Sequence, residues 1–195
     1  MRMAVIAACS LALGLAVAAG VRQAGDGSGS PAAELAPLTR AEVARPIAGA
    51  PPEIAALRRD VNVLRTGGVK ALDAQLRALR GRPVVVNMWA SWCGPCRREL
   101  PLFQREAVKR GAGVAFLGVN VEDARDAALA LAERYPMPYP SFVDPRYNLT
   151  KGRFGARGLP ATAFFDARGR LAIVRQGEFA TRAQLAAAIE RYALR

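Results

Sequence analysis

The chain has 195 residues, enough for one domain with its own core plus an appended segment. It contains no histidine, which excludes a Cys-His nucleophile pair and any site built on imidazole. Its 28 basic and 16 acidic residues give a net charge of +12. The arginines are scattered (Arg58, Arg77, Arg110, Arg125, Arg168, Arg191), not gathered into the basic stripe with stacking aromatics that nucleic-acid binding requires.

The chain opens on a short basic start, Met1-Arg2-Met3, followed by the apolar run AVIAACSLALGLAVAAG from Ala4 to Gly20. Such a run is the core of an export signal or a short membrane anchor, with Ala16-Val17-Ala18 as a small-residue cleavage site. Either way the remainder is expected outside the cytoplasmic membrane. Cys9 reads as a small apolar residue of the leader. From Val21 onward Gly, Ser, Ala and Pro dominate without an apolar period, as in a flexible tether. The expected organisation is a leader or anchor over 1–20, a linker over 21–55 and one folded domain over 56–195.

Within the domain, Glu53 to Arg59 predicts a short helix and Val61 to Leu64 an edge strand. Leu72, Leu76 and Leu79 recur at helical spacing before Gly81-Arg82-Pro83 ends the element. Val84 to Trp89 is almost unbroken apolar text, as expected of a strand buried on both faces. A helix carrying Leu100, Phe103 and Val108 should follow, interrupted or kinked at Pro101. Gly113 to Asn120 reads as a second central strand, and Asp123 to Tyr135 as an amphipathic helix with an aspartate at its start. Ser141 to Val143 is a short strand, and Tyr147 to Phe154 a brief helix anchored by Leu149. Thr162–Phe165 and Leu171–Val174 flank a glycine-containing turn and predict a hairpin. The last element is a helix from Thr181 to Tyr192, opened by a Thr181/Gln184 capping box. The fold class is α/β: a central mixed sheet flanked by helices.

The chemistry centres on NMWASWCGPCRRELP at 87–101. Two cysteines beyond the leader and no histidine cannot complete a four-ligand zinc site in one chain, although zinc shared between two chains stays open. Arg97 occupies the place where a covalent haem motif needs a histidine, so no cofactor is expected. A structural disulfide is the competing reading, but so short a loop constrains the unfolded chain little. A redox pair accounts for more of the pattern. A strand ending near Trp89 and a helix starting near Cys93 place the first sulfur among unpaired amide donors, which stabilise a thiolate. Gly94 lets a partner backbone approach, and Pro95 sits in the first turn, where its missing N–H costs nothing. Cys93 is then the attacking sulfur and Cys96 the resolving one. Glu99, three residues on, is either a proton relay for Cys96 or a surface glutamate of the helix. Arg97 either adds positive charge beside the thiolate or is a solvated helix residue. Trp92 is expected to form an apolar platform beside Cys93. Gly158-Leu159-Pro160 is the second half of the site: if Leu159–Pro160 is cis, the Leu159 backbone can face the cysteines and pair with an extended substrate, and otherwise Pro160 starts a strand.

WCGPC at 92–96, RRELP at 97–101, GVNVED at 118–123 and GLPATAFFDARG at 158–169 resemble the thioredoxin superfamily, in particular its extracytoplasmic TlpA/ResA-like thiol–disulfide oxidoreductases. The resemblance spans roughly 61–195. It implies a thioredoxin-like fold in which Cys93 and Cys96 cycle opposite a cis-Pro160, with an added helix and strand between Val121 and Val143. It further implies that Glu99 lines the site and tunes the cysteines. The partners it implies are exported proteins with disulfides, apocytochromes c among them, and a membrane thiol–disulfide electron carrier; a monomer is expected. Asn87 departs from the buried acid of cytoplasmic thioredoxins and leaves Glu99 as the nearby carboxylate, and Gly94 replaces the glutamate common in some maturation reductases. The alternatives on the same residues are a disulfide-donating oxidase or isomerase, a thiol peroxidase, and a metal chaperone. Met88 and Met137, the methionines beyond the leader, offer few copper ligands.

Overall fold

The computed structural model describes residues 36–195. The leader over 1–20 and the first part of the linker lie outside the described residues. None of the described helices is long and apolar enough to cross a membrane.

Among the described residues, six strands form one sheet in the order β1-β4-β3-β2-β5-β6. They are β1 Leu64–Arg65, β2 Val84–Trp89, β3 Ala115–Val121, β4 Ser141–Asp144, β5 Ala161–Phe165 and β6 Leu171–Gln176. The first four run parallel, and β5 and β6 are antiparallel additions beside β2. This is the thioredoxin-like mixed sheet. Every residue of β2 and β3 is buried, because both strands have neighbours on each edge and helices on each face. Alternation then sorts the side chains. Val84, Val86 and Met88 join one core with Leu72, Leu79 and Leu117, whereas Val85 and Trp89 join another with Leu100, Phe103 and Phe164.

The helices are α1 Arg40–Ala44, α2 Pro52–Arg59, α3 Gly68–Ala78, α4 Gly94–Arg110, α5 Arg125–Arg134 and α6 Arg182–Tyr192. The added helix and strand expected between Val121 and Val143 are α5 and β4. Helix α4 runs on through Pro101, so the expected interruption is absent. The brief helix after β4 is a π-type turn over Asn148–Arg153, whose first amides, Leu149 and Thr150, donate to the Asp144 carboxylate. At α6, Thr181 caps the Gln184 amide as expected, but Gln184 Oε1 accepts from Ala180 N, so the box is displaced by one residue.

The tether expected over 21–55 is folded in its second half. Thr39 and Glu42 form a complete capping box around α1, and Val43 is buried. Gln104, buried on α4, accepts from Leu38 N at 2.9 Å and donates to the carbonyl of Pro136 at 2.8 Å. Arg58 donates to the carbonyls of Val43 and Arg45. Five helical residues in Ala- and Pro-rich text carry no readable period, and the groups that hold them lie far along the chain.

Candidate active site

Strand β2 passes into a turn closed by Cys93 N donating to the Ala90 carbonyl at 3.2 Å. Helix α4 begins at the next residue, with Cys93 as its N-cap: Sγ accepts from Cys96 N at 3.2 Å. The sulfur thus occupies the position of a capping oxygen, among amides that lack intrahelical partners. Gly94 and Pro95 form the first turn. Cys93 and Cys96 are joined in a disulfide with Cα atoms 5.3 Å apart. Both residues are buried, Cys93 retaining 4% exposure and Cys96 none.

One turn further along α4 lies Glu99, wholly buried. The surface-glutamate alternative is therefore discarded. Its Oε1 accepts from Asn87 Nδ2 at 2.8 Å and its Oε2 from Phe179 N at 3.0 Å. Both donors are neutral. Burial pushes its carboxyl up from 4.5 to about 8, against the opposing pull of the Phe179 amide and Asn87. Asn87, on β2, presents the same face as Trp89, which is why it meets α4. Its Oδ1 finds no partner among the described residues. An amide turned about would therefore accept a hydrogen bond from the carboxylic acid, just as the present orientation donates one to the carboxylate. The buried Tyr139 hydroxyl is also unpartnered among the described residues, and burial together with the Glu99 charge pushes its pKa up.

The Leu159–Pro160 bond is cis. Pro160 precedes β5, whose first residue, Ala161, pairs with Met88 near the end of β2. The proline thus begins at the sheet end where β2 enters the cysteine turn. Leu159 is partly buried and packs against both cores. Trp92, expected as a platform, is 56% exposed, and its Nε1 donates to the Glu122 carbonyl at 3.0 Å. Arg97 is exposed.

Asp123, expected as the start of a helix, lies two residues before α5. It does not cap α5, whose N-cap is Ala124 without a side-chain bond. Its carboxylate instead accepts from Ser91 N and Ser91 Oγ, both at 2.5 Å, and from Asn120 Nδ2 at 2.8 Å. No local pattern betrays a bond to a turn 32 residues earlier. Gly118 belongs to the same frame: a Cβ there would stand 2.1 Å from Ser141 Oγ, which accepts from the Trp89 indole at 3.1 Å. An open pocket of about 410 Å³ lies beside α4, lined by Arg97, Pro101, Tyr135 and Phe179 among others. No cluster of three or more potential metal ligands occurs among the described residues.

Residues 59–174 match the family model described as AhpC/TSA family. The chain is 39% identical over 94 residues to the thiol:disulfide interchange protein DsbE of Pseudomonas fluorescens biotype C, covering 47% of this chain and 49% of the relative. It is 31% identical over 100 residues to the thiol-disulfide oxidoreductase ResA of Geobacillus thermodenitrificans, covering 51% and 57%. The chain thus spans about half the length of these curated relatives. Among solved structures, a thiol:disulfide interchange protein DsbE from Chlorobium tepidum matches with a TM-score of 0.54 at 27% identity, covering 60% of this chain and 83% of that one.

Proposed function

Since this chain belongs to the AhpC/TSA family, we propose that its cysteine pair makes it a thiol–disulfide oxidoreductase, acting as a reductant of disulfides in exported proteins. The single observation that carries this is the Cys93–Cys96 disulfide at the amino end of α4, with Cys93 as the helix N-cap. The names of the DsbE and ResA relatives support the reaction type.

In the reduced protein, the Cys93 thiolate attacks one sulfur of a substrate disulfide. A Cys93–substrate S–S bond forms, the substrate's own S–S bond breaks, and the departing sulfur takes a proton. Cys96 then gives its proton to the ionised fraction of Glu99 and attacks Sγ of Cys93. The intramolecular disulfide closes, and the second substrate sulfur leaves and is protonated. Two electrons and two protons, counting the one Cys93 released to solvent, have passed to the substrate. A carboxyl raised to about 8 is a far better proton acceptor for a thiol than an ordinary carboxylate, which would be too weak a base. A membrane thiol–disulfide carrier outside the cytoplasm would return the two electrons, and Pro160 and Leu159 would present backbone to the substrate. Apocytochromes c are the substrates that the TlpA/ResA resemblance implies.

Equilibrating the protein with glutathione tests the direction. A potential well below that of the glutathione pool supports a reductant, and a value near the ~−120 mV of a strong oxidant would make it a disulfide donor. A Cys96→Ser protein should retain its physiological partner as a mixed disulfide on Cys93. Recovery of none would contradict the exchange mechanism.

A further inference from the structure

We propose that Asp123 is a positioning residue for the cysteine pair: together with the Glu122 carbonyl, it pins the turn carrying Cys93 to the loop after β3. This role rests on the exchange chemistry proposed above.

The turn Ala90–Cys93 has two corner residues, and both are tied to the neighbouring loop. Ser91 gives its amide and its hydroxyl to the two carboxylate oxygens of Asp123, and Trp92 gives its indole N–H to Glu122 O. None of these bonds uses a sulfur atom. Opening the disulfide therefore breaks none of them directly, and the reduced state is the one in which Cys93 must keep its place at the amino end of α4 to attack. The loop is itself anchored. Asn120 pairs with Trp89 across β3 and β2, so the two loops leave the sheet side by side, and Asn120 Nδ2 fixes the carboxylate. Glu122 adopts a left-handed φ of 42°, uncommon for a residue with a side chain, and its amide donates to Asp144 O at 3.0 Å while its carbonyl accepts from Trp92.

The start of α5 makes the same point by what it forgoes. An aspartate beside a helix start ordinarily satisfies an orphan amide there. Here α5 begins without a side-chain cap, and the carboxylate serves the cysteine turn instead. A purely local role for Asp123 would leave the opposite arrangement.

The test uses the reduced full-length protein with Asp123→Ala, Asp123→Asn and, as a charge control on an exposed residue of α5, Asp126→Asn. The readouts are the second-order rate of reduction of oxidised glutathione, the iodoacetamide alkylation rate of Cys93 across pH, and the melting temperature. Asp123→Ala should reduce glutathione about tenfold more slowly, because small displacements of a reacting group carry costs of this order. Asp123→Asn, which keeps an acceptor for Ser91 N and a polar group for Ser91 Oγ, should recover most of the rate. Asp126→Asn should match the unsubstituted protein. The positioning role is overturned if Asp123→Ala exchanges at the unsubstituted rate, or if its loss only tracks a smaller folded fraction while alkylation of the folded protein stays unchanged. Failure of the unsubstituted protein to exchange with any disulfide would instead overturn the oxidoreductase reading, and the positioning role with it.

Discussion

Helix α4 carries two glutamates, Glu99 and Glu106, seven residues apart on one side and both fully buried. Glu106 meets Arg110 at 2.5 Å and Arg182 at 3.6 Å. Among the described residues, the hydrogen bonds of Glu99 come from an amide side chain and a backbone N–H. Burying an ion costs several kcal/mol, and a hydrogen bond to a charged group returns ~1.5–3 kcal/mol. Two neutral donors therefore leave Glu99 with a raised pKa, whereas Glu106 has cations to offset its charge. The same residue type at the same depth thus ties two helices together in one place and is set to exchange a proton in the other. The neighbours decide which.

The largest effect expected from this contrast is on stability. Glu106→Gln removes the carboxylate that Arg110 and Arg182 share and should cost about 3 kcal/mol, at the low end for a broken buried pair because Arg110 keeps its bond to Glu190 and Arg182 is partly exposed. That corresponds to a fall of roughly 6–12 °C in melting temperature. The pH dependence of disulfide exchange should stay in place, and a displaced profile would erase the distinction between the two glutamates.

Glu99→Gln should do the reverse. The glutamine oxygen can take the Phe179 amide, and its NH₂ can meet Asn87 Oδ1 once that amide turns about, so folding survives. Disulfide reduction should slow roughly 10–100-fold and lose its rise through about pH 8. Equal rates and unchanged profiles would remove Glu99 from the reaction. The same substitution tests a stability signature. The folded-state pKa of Glu99 lies above its unfolded value of 4.5, so the folded protein binds the extra proton between 4.5 and about 8. Its contribution is complete below 4.5 and is lost as pH rises through about 8. Chemical denaturation from pH 5 to 9 should show that decline in the unsubstituted protein and a flatter profile in Glu99→Gln.

A smaller effect belongs to the structural half of the helix. Gln104→Leu removes the bonds to Leu38 and Pro136 and should cost about 1–2 kcal/mol. Faster proteolysis between residues 36 and 50 would report release of that segment, and unchanged cleavage would show that α1 holds without Gln104.

Much of this was legible in the sequence because it is local. Val84 to Trp89 announces a doubly buried strand, the CGPC spacing announces a sulfur at a helix start, and Pro160 before an apolar run marks the start of β5. What the residues alone left open depends on distant partners. The choice between proton relay and surface glutamate at Glu99 waits on Phe179, which closes over it 80 residues later. Asp123 stands just before a helix while bonding a turn on another strand. The segment over 36–50 reads as a tether because its stability is supplied by α4 and Arg58 and not by its own period.

The account depends most on the reactivity of Cys93. Alkylation of the reduced Cys96→Ser protein across pH, followed by mass, measures its ionisation directly. A midpoint clearly below the ~8.5 of a free cysteine is the predicted result, given the sulfur's seat among the unpaired amides of α4. A midpoint at or above that value would contradict the assignment of Cys93 as the attacking thiolate.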